Sequence, residues 1–281
     1  MNNKTNRIID TLYVSDLDGT LLNRESKISE DSKDIIRKLM SKGMKFTIAT
    51  ARSWSSASMI VSDLDLTLPV ATYNGAFIID PVSGGIIESG CFEKEQAEYA
   101  LNVFLHAGIY PLVYAFINGE ERVSWVVGQE NNGIKDYLEA RSNDKRLKPV
   151  STIEDLFNGD IFYFTVIGTK EKLENLTPMF EGNNSFSYTF QQELYKDEYW
   201  FEVKKFDATK AVAVEKIKKM AGCTRVICFG DSPNDLPMFS IADEAFAVCD
   251  ADPVLIEAAT QVIGSADDNG VARWLSENLD I

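Results

Sequence analysis

Short apolar runs alternate with amphipathic stretches over the first eighty residues of the chain. The runs "TLYVSD", "MKFTIAT" and "PVATYNG" have the length and the β-branched and aromatic content of strands. Between the first two, "SEDSKDIIRKLMSKG" begins at a candidate N-cap, Ser29, carries acids first and basic residues last, and ends at Gly43. The alternation predicts a parallel sheet covered by helices.

The pattern changes after about Asp80. "FIIDPVSGGIIESG" is typical of a hairpin, "EKEQAEYALNVFLHAG" of a helix, and "LVYAFING", "RVSWVVG", "IFYFTVIG", "FSYTFQQ" and "YWFEVKK" of antiparallel strands. A helix from about Thr209 and the strand "RVICFGD" then resume the first pattern. We therefore predict an α/β fold in which a Rossmann-like parallel sheet core, residues 1–80 and 201–281, carries an inserted α+β domain at 81–200.

Composition narrows the function classes. The 281 residues are 45% hydrophobic, enough to bury a core, and carry 28 Lys and Arg against 43 Asp and Glu, a formal charge of -15. Such an acidic chain is a poor partner for nucleic acid, and it contains no basic amphipathic stretch for a membrane surface. No run is long enough to span a bilayer, and the polar start "MNNKTNR" lacks a secretory signal, so we expect a cytoplasmic protein. The pattern does not indicate an oligomeric state.

The residue inventory also limits the chemistry. The single histidine, His106, lies in the apolar segment "VFLHAGIY", where a buried or interfacial imidazole is expected rather than a catalytic one. The chain therefore lacks the catalytic histidine that serine–histidine and cysteine–histidine hydrolase mechanisms need. The four cysteines show no paired spacing, which argues against a zinc site or a disulfide framework. Carboxylates, lysine or a metal ion must carry any catalysis.

Two carboxylates, Asp16 and Asp18, end the apolar run in "YVSDLDGTLLN". If the strand continues through them, both point to one face and Leu17 points to the core. Two unit charges about 6 Å apart at an effective dielectric near 20 repel by roughly 3 kcal/mol, so the pair needs a cation, a shared proton or solvent. A surface Asp-Gly turn is the alternative.

Polar residues follow the ends of other predicted strands. Thr50 and Arg52 follow the second strand, and Lys210 begins a helix after the insertion. In "GDSPNDLPM" a further acid, Asp231, ends a strand, and Asn234 and Asp235 open the next helix. The carboxyl ends of parallel strands form one crevice in which ligands bind. A simple helix cap would explain the serine and proline of this segment, but not the carboxylates and the lysine together.

These groups suit phosphoryl transfer. Asp16 is placed to attack phosphorus, Asp16 and Asp231 to hold a divalent ion, and Thr50 and Lys210 to bind phosphate oxygens. Oxygen ligands favour Mg²⁺. The spacing fails the EF-hand pattern, and no Walker A loop is present.

At this point the chain resembles a phosphatase of the haloacid dehalogenase superfamily, of the Cof-type family with a type IIB cap. "DLDGTLL" resembles the family's first motif, Thr50 the second, "EVKKFDATKA" the third with its lysine, and "GDSPNDLPM" the fourth. "YNGAFI" and "DDNGVARWL" are also similar to family segments, so the resemblance runs almost from end to end.

The resemblance implies a role for each residue. Asp16 would be the nucleophile, Asp18 the acid/base with its backbone carbonyl on Mg²⁺, and Asp231 the other protein ligand of the metal. Asp235 would orient Lys210 or a metal-bound water. Contacts to the phosphoryl group or substrate would come from Leu17, Thr50, Arg52, Lys210 and Asn234. The expected partner is a small phosphorylated metabolite, hydrolysed through an aspartyl-phosphate.

Three departures and three alternatives accompany this interpretation. "TAR" stands where "TGR" is usual, Ala211 where glycine is common, and "VCDA" where "GNA" is more frequent. These changes affect the backbone near the site without removing a catalytic group.

A phosphomutase with the same nucleophile is the nearest alternative function. A receiver-like signalling module of about 120 residues and a non-catalytic binding protein fit less well, because the chain is long and keeps both Asp16 and Asp18.

Overall fold

The computed structural model describes residues 10–192 and 198–279, and the polar start at residues 1–7 lies outside this part. The chain forms two compact units, one made of Met1–Ser89 and Ala208–Ile281 and the other of Gly90–Asp207. Within the described residues, no helix is long and apolar enough to cross a membrane.

The first unit is built on a five-stranded parallel sheet with the order β14-β13-β12-β1-β2. Its strands are β1 (Thr11–Ser15), β2 (Lys45–Ile48), β12 (Arg225–Gly230), β13 (Glu244–Val248) and β14 (Gln261–Ile263). β1 is entirely buried and pairs with β12 on one side and β2 on the other. The loops that follow the three neighbouring strands β12, β1 and β2 therefore start from adjacent positions at one edge of the sheet.

The helices of this unit follow the sequence pattern. They are α1 (Glu30–Ser41), α2 (Trp54–Val61), α7 (Lys210–Met220), α8 (Leu236–Ile241), α9 (Pro253–Ala258) and α10 (Gly270–Asn278), with 3₁₀ turns at Ser62–Leu64, Tyr73–Gly75 and Pro233–Asp235. The Ser29 side chain accepts the Ser32 amide, and acids occupy the first turn of α1. The predicted N-terminal cap of α1 is thus confirmed.

The run "PVATYNG" does not extend the parallel sheet as predicted. Its strand, β3 (Val70–Thr72), forms no continuous ladder with β2; an isolated parallel bridge joins Ala49, just after β2, to Ala71. It pairs antiparallel with β4 (Phe77–Ile79), which pairs with β5 (Ile86–Ser89), so the predicted hairpin is present. This pairing keeps β5 in the first unit, and the division between the units falls after Ser89.

The inserted unit contains a six-stranded sheet with the order β10-β11-β9-β6-β7-β8. The strands are β6 (Leu112–Ile117), β7 (Glu120–Val126), β8 (Leu147–Val150), β9 (Asp160–Gly168), β10 (Phe186–Gln192) and β11 (Tyr199–Lys205). The helices are α3 (Lys94–His106), α4 (Asn132–Ala140), α5 (Lys170–Glu174) and α6 (Thr177–Phe180), with a 3₁₀ turn at Glu154–Phe157. All neighbours are antiparallel except β7 and β8. The predicted fold class, a parallel α/β core with an inserted α+β domain, is confirmed.

Aromatic side chains fill the core of the inserted unit. The Phe104 ring lies 5.8 Å from Phe164 and 5.6 Å from Phe180, centroid to centroid. Phe180 lies 5.7 Å from Phe201.

The prediction that His106 is buried or interfacial is wrong for burial. This residue ends α3, and its exposed side chain contacts the Asn102 carbonyl through Nδ1. The apolar periodicity of α3 places its neighbours inside and leaves this position on the outer face.

Candidate active site

The chain turns immediately after β1. The strand ends at Ser15, and the Asp16 amide still donates to the Phe229 carbonyl of β12 at 3.0 Å. The Leu17 carbonyl then accepts three successive amides, of residues 20, 21 and 22, which closes a tight turn. The strand alternation expected for the two carboxylates therefore stops between them. Asp16 is buried at 4% exposure, whereas the side chain of Asp18 is 51% exposed.

A buried lysine partners Asp16. Lys210 begins α7, whose N-cap residue, Thr209, accepts the Val212 amide. Its Nζ donates to Asp16 Oδ1 at 2.9 Å and to Asp235 Oδ1 at 2.6 Å. Burial alone would lower the pKa of Lys210, but the two carboxylates outweigh it and the pKa is raised. The ammonium is therefore a fixed positive charge in the site.

Both carboxylate oxygens of Asp235 accept hydrogen bonds. Oδ1 accepts from Lys210, and Oδ2 accepts the backbone amides of Asp231 and Ser232 at 3.0 and 3.3 Å. The carboxylate thus ties the lysine to the turn that follows β12. This contact is the one by which Asp235 would orient Lys210.

Three carboxylates gather around this lysine. Asp16, Asp231 and Asp235 each offer an oxygen, and these oxygens lie within 4.8 Å of one another. Burial, with Asp235 nearby, raises the pKa of Asp231 to about 6, and burial raises that of Asp16 despite Lys210. One ammonium cannot neutralise three carboxylates, and an all-oxygen donor set suits a hard divalent cation. Both oxygens of Asp235 already accept hydrogen bonds, so Asp16 and Asp231 are the carboxylates that fit as ligands of such a cation.

The turn after Asp18 also supports Asp231. The Thr20 hydroxyl donates to Asp231 Oδ1 at 3.0 Å. Gly19 has a φ of 72°, and a Cβ placed there would lie 2.3 Å from Asp231 Oδ2. Sequence reasoning missed both residues. The Asp-Gly dipeptide signals a turn, but nothing in the sequence signals that the turn lies against a carboxylate 212 residues later.

Arg52 lies on Asp18. Its Nε donates to Asp18 Oδ2 at 2.7 Å and its Nη2 to Oδ1 at 2.5 Å, while Nη1 donates to the Ser56 hydroxyl. The hydrogen bond to Asp18 is the main cause that raises the pKa of Arg52. Both oxygens of Asp18 are therefore engaged by one guanidinium in a forked geometry.

The remaining predicted residues flank these groups. Thr50 is fully buried, and its Oγ1 accepts the Arg52 amide at 3.1 Å. Asn234 Nδ2 donates to Asn74 Oδ1 at 3.1 Å, and its Oδ1 accepts the Ser232 hydroxyl at 2.6 Å. The Leu17 side chain is fully buried, which restricts any contact with a substrate to its backbone. Asn74 is a further residue that sequence reasoning left out of the site.

The arrangement separates two kinds of carboxylate. Asp16 is buried beside an ammonium group, an environment suited to a nucleophile that attacks phosphorus. Asp18 is exposed and its carboxylate is held by an arginine side chain, which suits a group that must exchange protons with water and a leaving group. Thr50 and Lys210 offer donors for the oxygens of a transferred phosphoryl group.

Known proteins that this chain resembles are described as hydrolases and phosphatases. A family model described as haloacid dehalogenase-like hydrolase matches residues 13–275. The chain is 27% identical over 288 residues to the 5-amino-6-(5-phospho-D-ribitylamino)uracil phosphatase YwtE of Bacillus subtilis, with 94% of this chain and 96% of that protein covered. A second Bacillus subtilis phosphatase of the same description, YitU, is 26% identical over 287 residues, covering 96% and 98%.

Solved structures share the fold. A sugar phosphatase described as subclass IIB of the same superfamily superposes with a TM-score of 0.74 at 21% identity, covering 95% of this chain and 98% of that one. At this identity the likeness concerns the fold, including the inserted unit.

Proposed function

Because the chain belongs to the haloacid dehalogenase-like hydrolases and is a phosphoric monoester hydrolase, we propose that it hydrolyses small phosphomonoesters through an aspartyl-phosphate on Asp16, with Mg²⁺ as cofactor. The observation that carries the proposal is the contact of the buried Lys210 ammonium with Asp16 and Asp235. Burying a lysine beside clustered carboxylates carries a large desolvation cost, and a catalytic role would account for a site that keeps these charges.

In the first step, an oxygen of Asp16 attacks phosphorus and the bond between phosphorus and the leaving-group oxygen breaks. Asp18, protonated from solvent before the step, gives this proton to that departing oxygen. Asp18 must leave Arg52 to do so, because both of its oxygens are engaged there. Lys210, the Thr50 hydroxyl and the Asn234 amide bind the phosphoryl oxygens as negative charge builds on them.

In the second step, Asp18 accepts a proton from water, and the resulting hydroxide attacks phosphorus. The bond from phosphorus to the Asp16 oxygen breaks, which releases inorganic phosphate and restores the carboxylate. Asp18 therefore serves as acid and then as base. Its exposure supports this exchange of protons with solvent.

Asp16, Asp231 and the Asp18 backbone carbonyl would hold Mg²⁺. When bound, the ion neutralises the carboxylates and the incoming phosphate. The carboxylate cluster supports this assignment, since its negative charge exceeds what Lys210 supplies.

We further propose that the substrate is a compact metabolite, such as a sugar phosphate or a sugar-alcohol phosphate, in the cytoplasm. The names of the two Bacillus relatives describe a phosphate on a ribityl chain. The chain as a whole is acidic, so attraction of phosphate must be local and fades over a Debye length of about 8 Å. The inserted unit, Gly90–Asp207, is proposed to select the leaving group.

A phosphate-release screen with Mg²⁺ tests the proposal. Hexose phosphates, glycerol phosphate, a ribityl phosphate, pyridoxal phosphate, nucleotides and a 5′-phosphorylated oligonucleotide should be compared by kcat/KM. We expect a compact phosphomonoester to be best and free phosphate to be the product. Transfer of the phosphoryl group to a sugar, with a requirement for a bisphosphate activator, would instead indicate a phosphomutase. The highest kcat/KM on the oligonucleotide would contradict the small-metabolite assignment.

A further inference from the structure

The turn Tyr73–Gly75, which follows β3, has an unusual backbone. Its three residues all have positive φ, at 50°, 55° and 95°. Two of them are not glycine, and a tyrosine in this region is strained by about 1 kcal/mol or more. Such a conformation persists only where the surroundings hold it in place.

The turn is bonded to the loop after β2. The Tyr73 amide donates to the Arg52 carbonyl at 3.0 Å, and the Asn74 amide donates to the Thr50 carbonyl at 2.9 Å. The turn therefore holds the backbone carbonyls of Thr50 and Arg52, the two candidate site residues of that loop.

The turn also lies against the start of α7. A Cβ built on Gly75 would come within 2.1 Å of the Thr209 carbonyl oxygen and 2.8 Å of the Lys210 nitrogen. Glycine is therefore required both by the φ and by the close approach of the two backbones. The turn consequently contacts a second segment that carries a site residue.

The third contact of the turn is made by the Asn74 side chain, which binds the side chain of Asn234. The Ser232 hydroxyl accepts the Asp235 amide, so its own proton is donated to Asn234 Oδ1, at 2.6 Å. This commits the oxygen of the Asn234 amide and turns its NH₂ group toward Asn74. One N–H donates to Asn74 Oδ1 at 3.1 Å. Among the described residues the other N–H meets no acceptor, which leaves it for a ligand.

We propose that Asn74 is a positioning residue, which acts through Asn234 by fixing the plane of its amide so that the second N–H meets a phosphoryl oxygen. The inference rests on the proposed function, in which Asn234 binds the phosphoryl group. Asn74 combines two properties that this place needs: asparagine tolerates positive φ better than other non-glycine residues, and it carries an acceptor.

The test is a double-mutant cycle of Asn74→Gly and Asn234→Ala. Glycine keeps the backbone conformation and removes the acceptor. We expect Asn74→Gly to lower kcat/KM by about 10- to 100-fold, because small misplacements of a binding group are costly. In the Asn234→Ala background the same change should have little further effect. Asn74→Asp keeps an acceptor and tolerates the same φ, so its kcat/KM should exceed that of Asn74→Gly.

Asn118→Gly is the matched control. Asn118 also has positive φ, 55°, in the turn between β6 and β7 of the inserted unit. It should lose no activity, and thermal melts should show that all variants fold. The cycle is repeated with the affinity for inorganic phosphate, measured by calorimetry, which does not depend on turnover.

Additive losses in both forms of the cycle would overturn the positioning role, as would unchanged kcat/KM and phosphate affinity in Asn74→Gly. Neither result affects the nucleophile. Failure of the proposed function has a separate signature, namely phosphate release by Asp16→Asn at the wild-type rate. In that case coupling in the phosphate affinity would still support the Asn74–Asn234 contact.

Discussion

The two units differ in the most prominent cluster of side chains that each one buries. The first unit encloses an ammonium group in contact with two carboxylates, Lys210 with Asp16 and Asp235, and no more than 5% of any of these side chains is exposed to solvent. The inserted unit encloses a cluster of phenylalanines, and its sheet is antiparallel except for the pair β7 and β8. Aromatic burial stabilises a fold directly, whereas buried charges are expensive and add little net stability. The contrast places the chemistry in the first unit.

The difference also explains where sequence motifs occur. A catalytic group must be one residue type at one position, while a core position accepts several apolar residues of similar volume. The inserted unit therefore carries a pattern without motifs, and the first unit carries both.

The largest expected effect is that of Asp16→Asn. The change removes the nucleophile at nearly constant volume, and we expect kcat to fall by about 10⁴-fold or more. Phosphate release by the purified variant, compared with a mock preparation, measures this. Asp34→Asn is the matched control, since Asp34 is exposed on α1 and pairs with Arg37, and it should retain full activity. Substantial turnover by Asp16→Asn would show that Asp16 is not the nucleophile and that the buried cluster of the first unit does not supply it.

Removal of the divalent cation should come next. Dialysis against EDTA should lower kcat by about 10³-fold, because several kcal/mol of charge stabilisation are lost, and Mg²⁺ should restore it. Ca²⁺ should support turnover poorly, since its coordination is looser. Mg²⁺ should also raise the melting temperature of the wild type but not of Asp231→Asn. Full activity after chelation, with no Mg²⁺-dependent shift, would contradict the metal assignment.

Asp18→Asn should show a loss that depends on the leaving group. General acid catalysis contributes about 10²–10⁴-fold, and an alkoxide needs the proton more than a nitrophenolate does. We expect a larger fall in kcat for a sugar phosphate than for p-nitrophenyl phosphate. Equal losses on both substrates would argue that Asp18 serves Arg52 and the turn rather than proton transfer.

Gly19→Ala should cost less. Its new Cβ would meet Asp231 Oδ2, so the carboxylate must shift, and we expect kcat/KM to fall by about 10- to 100-fold. Gly43→Ala controls for the backbone, because Gly43 also has positive φ, 100°, and no atom lies within 4 Å of its Cβ position. This control should lose stability by about 1 kcal/mol and keep its activity. Similar activity in both variants would mean that Asp231 tolerates displacement.

Much of the site was predictable because parallel strands end at one edge. The order β12-β1-β2 puts the segments that carry Asp231, Asp16 and Thr50 side by side, as the alternating pattern predicted. The exposure of Asp18 agrees with the alternative of a surface Asp-Gly turn and not with a continued strand, because the Leu17 carbonyl closes a turn between the two carboxylates and the next helix. The Asn-Gly dipeptide of "YNGAFI" indicates a turn at Asn74, but hydrophobic periodicity does not show that this turn contacts the site.

The inserted unit shows the same limit in its strands. β8, Leu147–Val150, contains a proline and pairs parallel to β7, and neither feature is part of the alternation that predicts a strand. The other strands of this sheet were predictable from their runs of β-branched and aromatic residues. Pairing partners and register depend on contacts distant in sequence, which a local pattern does not contain.

The smallest expected effect compares one conservative change in the two units. Ile48 of β2 and Ile161 of β9 are both buried, at 0% and 3% exposure, and Ile→Val costs about 0.5–1.5 kcal/mol at either site. Ile48 lies two residues before Thr50, so its repacking should lower kcat on p-nitrophenyl phosphate by about twofold to threefold. Ile161 belongs to the apolar cluster of the inserted unit, and its variant should keep the wild-type kcat. Denaturant unfolding and initial rates measure the two quantities. If Ile161→Val lowered kcat as much as Ile48→Val, the chemistry would depend on both units, and the contrast between them would fail.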